Sequence, residues 1–283
     1  MTKTGKLSLL ISILLLLLAF WDNEYMKHIR GLVVLIHEVS HALAALFTGG
    51  LVEKISIHSN NSGETIAVAG KGSFLFIVSA GYLGSSFAGG FLLNRGLKDE
   101  HVKPLLLGLG LILAFLSFFY SSMEDLAFIT GIAWGTFFFL SGLFGGKYGR
   151  YLLIFIGTCL GLYSVYDLFD FIGNIHLTDA GILASYLLGK PPMSEEIRDL
   201  GYIIALLWSF ISCFLLYAFI SNAMNIEDDK DLGLEEMLEQ VNRGNVQPEV
   251  ADWFLNKGLD LDGKPLTNET IKKIYEVKNK HHV

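Results

Sequence analysis

Seven apolar segments run through this chain, at about Leu7–Trp21, Ile29–Phe47, Gly72–Leu93, Pro104–Tyr120, Leu126–Phe144, Tyr151–Phe171 and Leu200–Ile220. A helix rises about 1.5 Å per residue, so roughly 20 apolar residues cross the ~30 Å hydrocarbon layer of a bilayer. Most of the segments approach that length. In hydrocarbon the backbone must satisfy its own hydrogen bonds, and helices do so within one segment. Composition agrees, with 52% of the 283 residues hydrophobic and only 17% charged, against about a quarter charged in ordinary soluble domains. The expectation is an all-α polytopic membrane protein with about seven transmembrane helices.

The two ends differ in texture. Lys3 and Lys6 precede the first apolar run, and Ala19 is followed by Phe20 and Trp21 instead of a small-x-small cleavage site. This reads as an uncleaved first helix with its lysines on the cytoplasmic side. The linkers 94–103 and 145–150 are both basic and compete for the inside; seven simple crossings would leave the C-terminal tail opposite the N-terminus, a re-entrant stretch near Asp179 would not, and the sequence leaves the two open. Beyond Ile220, Glu227-Asp228-Asp229-Lys230-Asp231 reads as an acidic linker, followed by helical patterns at 232–242, 248–257 and 268–280. The chain therefore divides into a membrane part, 1–224, and a soluble acidic helical tail, 225–283. Most of the net charge of −7 lies in that tail, so it argues against a nucleic-acid partner. Cys159 and Cys213 stand far apart in apolar runs and read as packing residues. No feature specifies an oligomeric state.

His37-Glu38-Val39-Ser40-His41 lies inside the second apolar segment. On a helix, i and i+4 share a face, so both imidazoles can bind one metal ion while Glu38 reaches a water beside it. Three ionisable side chains in a hydrophobic helix are costly, which makes a functional site the default reading. Directly after this helix, Leu51–His58 and Glu64–Ala69 approximate alternation around Ser59-Asn60-Asn61-Ser62-Gly63, a β-hairpin pattern. It reads equally as a plain connection or as a sheet edge that takes an extended peptide. The pairs Gly131/Gly135 and Gly157/Gly161 read as points of close helix approach.

A catalytic zinc site takes three protein ligands and leaves one position for water. The residues after His41 exclude a third histidine in an HExxHxxGxxH pattern, and between Asp125 and Glu195 the acids are Asp167, Asp170 and Asp179. Asp167 and Asp170 occupy neighbouring parts of one helical face. Asp179 follows a break at Gly173-Asn174 and reads as the N-cap of a short helix, an arrangement by which membrane proteins bring polar ligands to mid-depth. His176 is a further candidate ligand. Glu124 and Asp125 read as a solvated helix cap. Leu261-Asp262-Gly263, in the polar tail, reads as a decoy for a ligand motif.

The HExxH helix, the segment Thr178-Asp179-Ala180-Gly181-Ile182-Leu183 and the stretch Ser79-Ala80-Gly81-Tyr82-Leu83-Gly84 resemble the site-2 protease family of intramembrane zinc metalloproteases. Thr178-Asp179-Ala180 stands where that family has an LDG-type motif, and Ser79–Gly84 where it has an AGP-type segment, here without the proline. The likeness is to a divergent bacterial and plant branch and covers about residues 29–220. It implies an integral, multi-pass protein of a bacterial cell membrane that hydrolyses peptide bonds of membrane-spanning or membrane-anchored proteins in regulated intramembrane proteolysis. It further implies zinc on His37, His41 and Asp179, with Asp167 as the alternative third ligand and Asp170 behind both, and Glu38 as the catalytic residue. The partners implied are a membrane protein or peptide substrate and the lipid bilayer. Its departures from the LDG pattern motivate the alternative of a non-catalytic membrane scaffold derived from such a protease. A metal transporter is disfavoured, because the third to fifth segments hold few polar side chains.

Overall fold

The computed structural model describes residues 3–68, 74–191, 193–244, 246 and 248–280, and for 164–173, 225–232, 248 and 278–280 their backbone alone. The apolar runs fold as helices: α1 Lys3–Phe20, α2 Lys27–Phe47, α3 Phe74–Lys98, α4 Val102–Tyr120, α5 Leu126–Phe144 and α6 Gly149–Asn174. A short α7, Asp179–Leu188, precedes the long α8, Glu195–Asn242. Between α2 and α3 stand two antiparallel strands, β1 Leu51–Ile57 and β2 Gly63–Val68. Among the described residues, six helical stretches are long and apolar enough to cross a membrane, the last being Glu195–Met224. The protein is an all-α polytopic chain with one small hairpin, as the apolar runs predict.

Which helix lies at the centre is decided by burial: the apolar window of α2 is 72% buried, against 11% for α1 and 22% for the span in α8. α2 packs Leu32, Leu35 and Ala42 into a cluster with Ile55 of β1, Leu113 of α4 and Phe138 of α5. A second cluster joins Tyr82 of α3, Leu183 of α7 and Trp208 of α8. Small residues set the approach between helices. A Cβ at Gly157 would lie 2.7 Å from the Gly89 carbonyl oxygen, and one at Gly135 would lie 2.9 Å from the Gly110 carbonyl oxygen. Both glycine pairs thus sit at tight crossings.

Helix direction and contacts relate the start of α1 to the end of the last span. Along α3 and α8, Tyr82 stacks on Trp208, Ser86 bonds Ser212 at 2.8 Å, and Asn94 donates to the Phe219 carbonyl at 2.7 Å. The numbers ascend together, so these helices run parallel. Lys6, buried in α1, donates to the Ala223 carbonyl at 3.1 Å. The N-terminal end of α1 and the end of the last span therefore lie on the same side, which is not the arrangement that seven simple crossings would give. Seven long helices return a chain to its starting side only if one connection also traverses depth.

Two boundaries also differ from the sequence pattern. The linker expected at 94–103 is mostly helix: α3 continues to Lys98, and Asp99 and His101 make the turn at φ 61° and 53°. The acidic stretch 227–231 lies within α8; its neighbours are good helix formers and nothing stops the helix there. By packing, the chain divides into two compact units, Met1–Ala223 and Met224–Val283. In the second, α9 Pro248–Lys257 and α10 Asn268–Lys280 bury Val250, Phe254 and Ile274. The Asp260 carboxylate accepts from the amides of Asp262 and Lys264, so Leu261-Asp262-Gly263 belongs to a tight turn.

Candidate metal centre

The two histidines of α2 are both buried, and their Nε2 atoms lie 3.2 Å apart. Their i, i+4 spacing gives this geometry directly. Opposite them, the helix break after α6 ends in a single 3₁₀ turn at Ile175–Leu177, and Thr178 caps α7, accepting from the Gly181 amide. Thr178, one residue earlier than predicted, is the N-cap; Asp179 is the first helical residue and is free to reach across. Its Oδ2 lies 3.0 Å from His37 Nε2 and 3.1 Å from His41 Nε2.

Three donor atoms 3.0–3.2 Å apart form nearly an equilateral triangle. A tetrahedral zinc with ligands at about 2.0–2.1 Å needs edges of about 3.3 Å, so the set fits one face of that tetrahedron and leaves the fourth corner for another ligand. Two imidazoles and a carboxylate are also a donor set that suits zinc. The ring orientation is supported from behind: His41 Nδ1–H donates to the Ile77 carbonyl at 2.7 Å, which leaves Nε2 with its lone pair toward the centre. His37 packs edge-on against Tyr82, with ring centroids 4.8 Å apart.

Neighbours not singled out from the sequence complete the site. Gly81 of α3 lies so close to both histidines that a Cβ there would collide with Nε2 of each. Glu38 is buried, and its Oε2 accepts from the Thr65 hydroxyl of β2 at 2.7 Å. Gly63, at the start of β2, faces the same carboxylate: a Cβ there would lie 2.7 Å from Glu38 Cδ. Gly81 lay in the AGP-like stretch, so its signal was present; Thr65 and Gly63 carried only the period-2 alternation of the strand. The same end of the hairpin is held by Asp125, through Ile57, the partner of Gly63. The Asp125 side chain caps α5 through the Ala127 amide at 2.9 Å and also accepts from the Ile57 amide of β1 at 2.9 Å. It is a cap, as expected, but a partly buried one that ties a strand to a helix.

Among the described residues, His37, His41 and Asp179 are the group whose ligand atoms converge, all within 4.8 Å of one another. His176 is not part of that group. The side chains of Asp167 and Asp170 lie outside the described residues.

A family model described as peptidase M50B-like matches residues 10–220. The chain belongs to the peptidase M50B-like family. That is the site-2 protease group which its motifs resemble. The M50B-like match covers the α2 histidines, the hairpin, α7 and the apolar part of α8, and it stops short of the helical tail. Membership in a peptidase family, together with the apolar helices, makes this an integral membrane protein. No curated protein and no solved structure matches the chain.

Proposed function

We propose that this M50B-like protein is an intramembrane zinc metallopeptidase whose catalytic domain spans residues 1–224, with 225–283 as a soluble helical tail, seated in a bacterial cell membrane. The observation that carries the reading is the meeting of Asp179 with His37 and His41, 142 and 138 residues away in sequence, at hydrogen-bonding distance. Buried ionisable groups in a membrane bundle are costly and mark function, and this trio is a zinc-type donor set.

Zinc, when bound to His37, His41 and Asp179, supplies a Lewis acid that polarises the peptide carbonyl and makes water acidic enough to react near neutral pH. The remaining work falls to the chain. Glu38, next to His37 on α2, takes a proton from the attacking water and delivers it to the leaving amine. The Ile77 carbonyl holds the His41 ring in one tautomer. A membrane-spanning substrate must first unwind, because its helical carbonyls are otherwise hydrogen-bonded. The two-stranded sheet beside Glu38 offers backbone partners for such an unwound segment by strand addition. The substrates are accordingly membrane-spanning or membrane-anchored proteins, cut in regulated intramembrane proteolysis.

The test is purified protein in a bilayer, stripped of metal by chelation and assayed on a single-span peptide before and after zinc is returned. Cleavage that appears only with zinc supports the reading. A folded protein that binds no zinc and cuts nothing would point instead to the membrane scaffold.

A further inference from the structure

Glu38 is gripped by one strand. On β2, residues two apart share a face, and Gly63 and Thr65 both turn toward the Glu38 carboxylate. The Thr65 hydroxyl donates to Oε2 at 2.7 Å and lies 3.1 Å from the Glu38 carbonyl oxygen. Having one proton, it satisfies one of them, and the shorter, charge-assisted contact wins. Gly63 lies against Oε1, Cδ and Cγ, where only a residue without a side chain fits. The alternate residues Glu64, Ile66 and Val68 point outward and are exposed. The strand itself is fixed: Thr65 pairs with the fully buried Ile55, and Gly63 with Ile57, whose amide Asp125 holds.

We propose that Thr65 is a positioning residue for Glu38, tying down Oε2 so that Oε1 is the oxygen that exchanges the proton. The inference rests on the peptidase reading above. In the step it serves, an O–H bond of the attacking water breaks and the proton passes to Oε1. The hydroxide attacks the carbonyl carbon, and when the C–N bond breaks the same proton passes from Oε1 to the amine nitrogen. Thr65 exchanges no proton in this cycle. It removes rotamers of a flexible side chain and couples the base to the same hairpin that would hold the substrate.

The experiment uses the full chain in bilayer discs as wild type, T65V and T65S, with a fluorogenic single-span peptide whose centre is glycine-rich. Valine keeps the shape of threonine without the donor; serine keeps the donor. The expected result for T65V is a kcat lower by about ten- to hundredfold, the range for a slightly misplaced catalytic group, with KM and zinc content unchanged, and recovery of most of the loss in T65S. A merely structural threonine would lower zinc content or change KM instead. As a readout independent of turnover, infrared difference spectra against E38Q isolate the Glu38 carboxylate band, which should shift in T65V and not in T65S. An active wild type whose T65V variant keeps wild-type kcat, or an unshifted band, overturns this inference and leaves the peptidase reading standing. A zinc-loaded wild type that cuts nothing overturns both.

Discussion

Asp179 Oδ2 sits 3.1 Å from His41 Nε2, and that contact joins the first turn of a short helix to the middle of the most buried helix in the bundle. Ionisable groups are costly in hydrocarbon, and under the proposed function a metal ion on all three side chains would offset that cost. Full-length wild type should bind about one zinc per chain, and Asp179→Ala should lose most of it, since removal of one of three protein ligands opens the site. Metal analysis of purified Asp179→Ala and Asp167→Ala proteins checks this. Loss in Asp167→Ala alone would move the third ligand to α6.

Gly81 is the second place where one atom decides the site. A Cβ there meets Nε2 of both His37 and His41, so Gly81→Ala should push α3 from α2 or turn the rings. The expected outcome is loss of zinc together with destabilisation of about 1–3 kcal/mol, the usual cost of overpacking. Thermal unfolding and metal content, compared with Ala substitution at the open Gly108, where no neighbour lies within 4 Å, measure it.

Asp125 should matter for the hairpin more than for the metal. Its carboxylate serves the Ala127 amide as a cap and the Ile57 amide of β1, and Lys54 lies 3.8 Å away. Asp125→Ala should cost about 0.5–2 kcal/mol as a lost cap and leave β1 less protected. Hydrogen exchange over residues 51–68 should rise in this variant while zinc content holds.

A contact at the end of the last span also sets an expectation for the side on which that span ends. Lys6 donates to the Ala223 carbonyl, and Arg95, Lys98 and Arg150 cluster on the nearby helix ends, with Arg150 paired to Asp99. Basic residues favour the cytoplasmic side, so both the N-terminus and the residues following Met224 should be cytoplasmic. Cysteines placed at the exposed Thr4 and Asn242 should both resist a membrane-impermeant thiol reagent in intact cells and react after lysis.

Local relations were legible in the sequence, and distant ones were legible only where a motif marked them. His37, Glu38 and His41 follow from helical spacing, and the hairpin from alternation around Ser59–Gly63. Asp179 needed a resemblance to be preferred over Asp167, because spacing alone ranks neither. Thr65 on Glu38, and Gly81 on the histidines, could not be read from periodicity. In a membrane bundle the lipid-facing and the buried faces are both apolar, so the pattern that betrays a core-facing stripe in a soluble helix is missing. The hairpin likewise looks like a surface connection, yet Thr65 reaches the middle of α2.

The central claim is that Glu38 moves the proton at a metal site made by His37, His41 and Asp179. Its most direct test is Glu38→Gln in the full chain, assayed for zinc content and for cleavage of the single-span peptide beside wild type. The account predicts about one zinc per chain in both proteins and product from wild type alone, with the variant slower by about a hundredfold or more, as expected when a general acid–base group is removed. A Glu38→Gln protein that cuts at the wild-type rate with its zinc in place would contradict it.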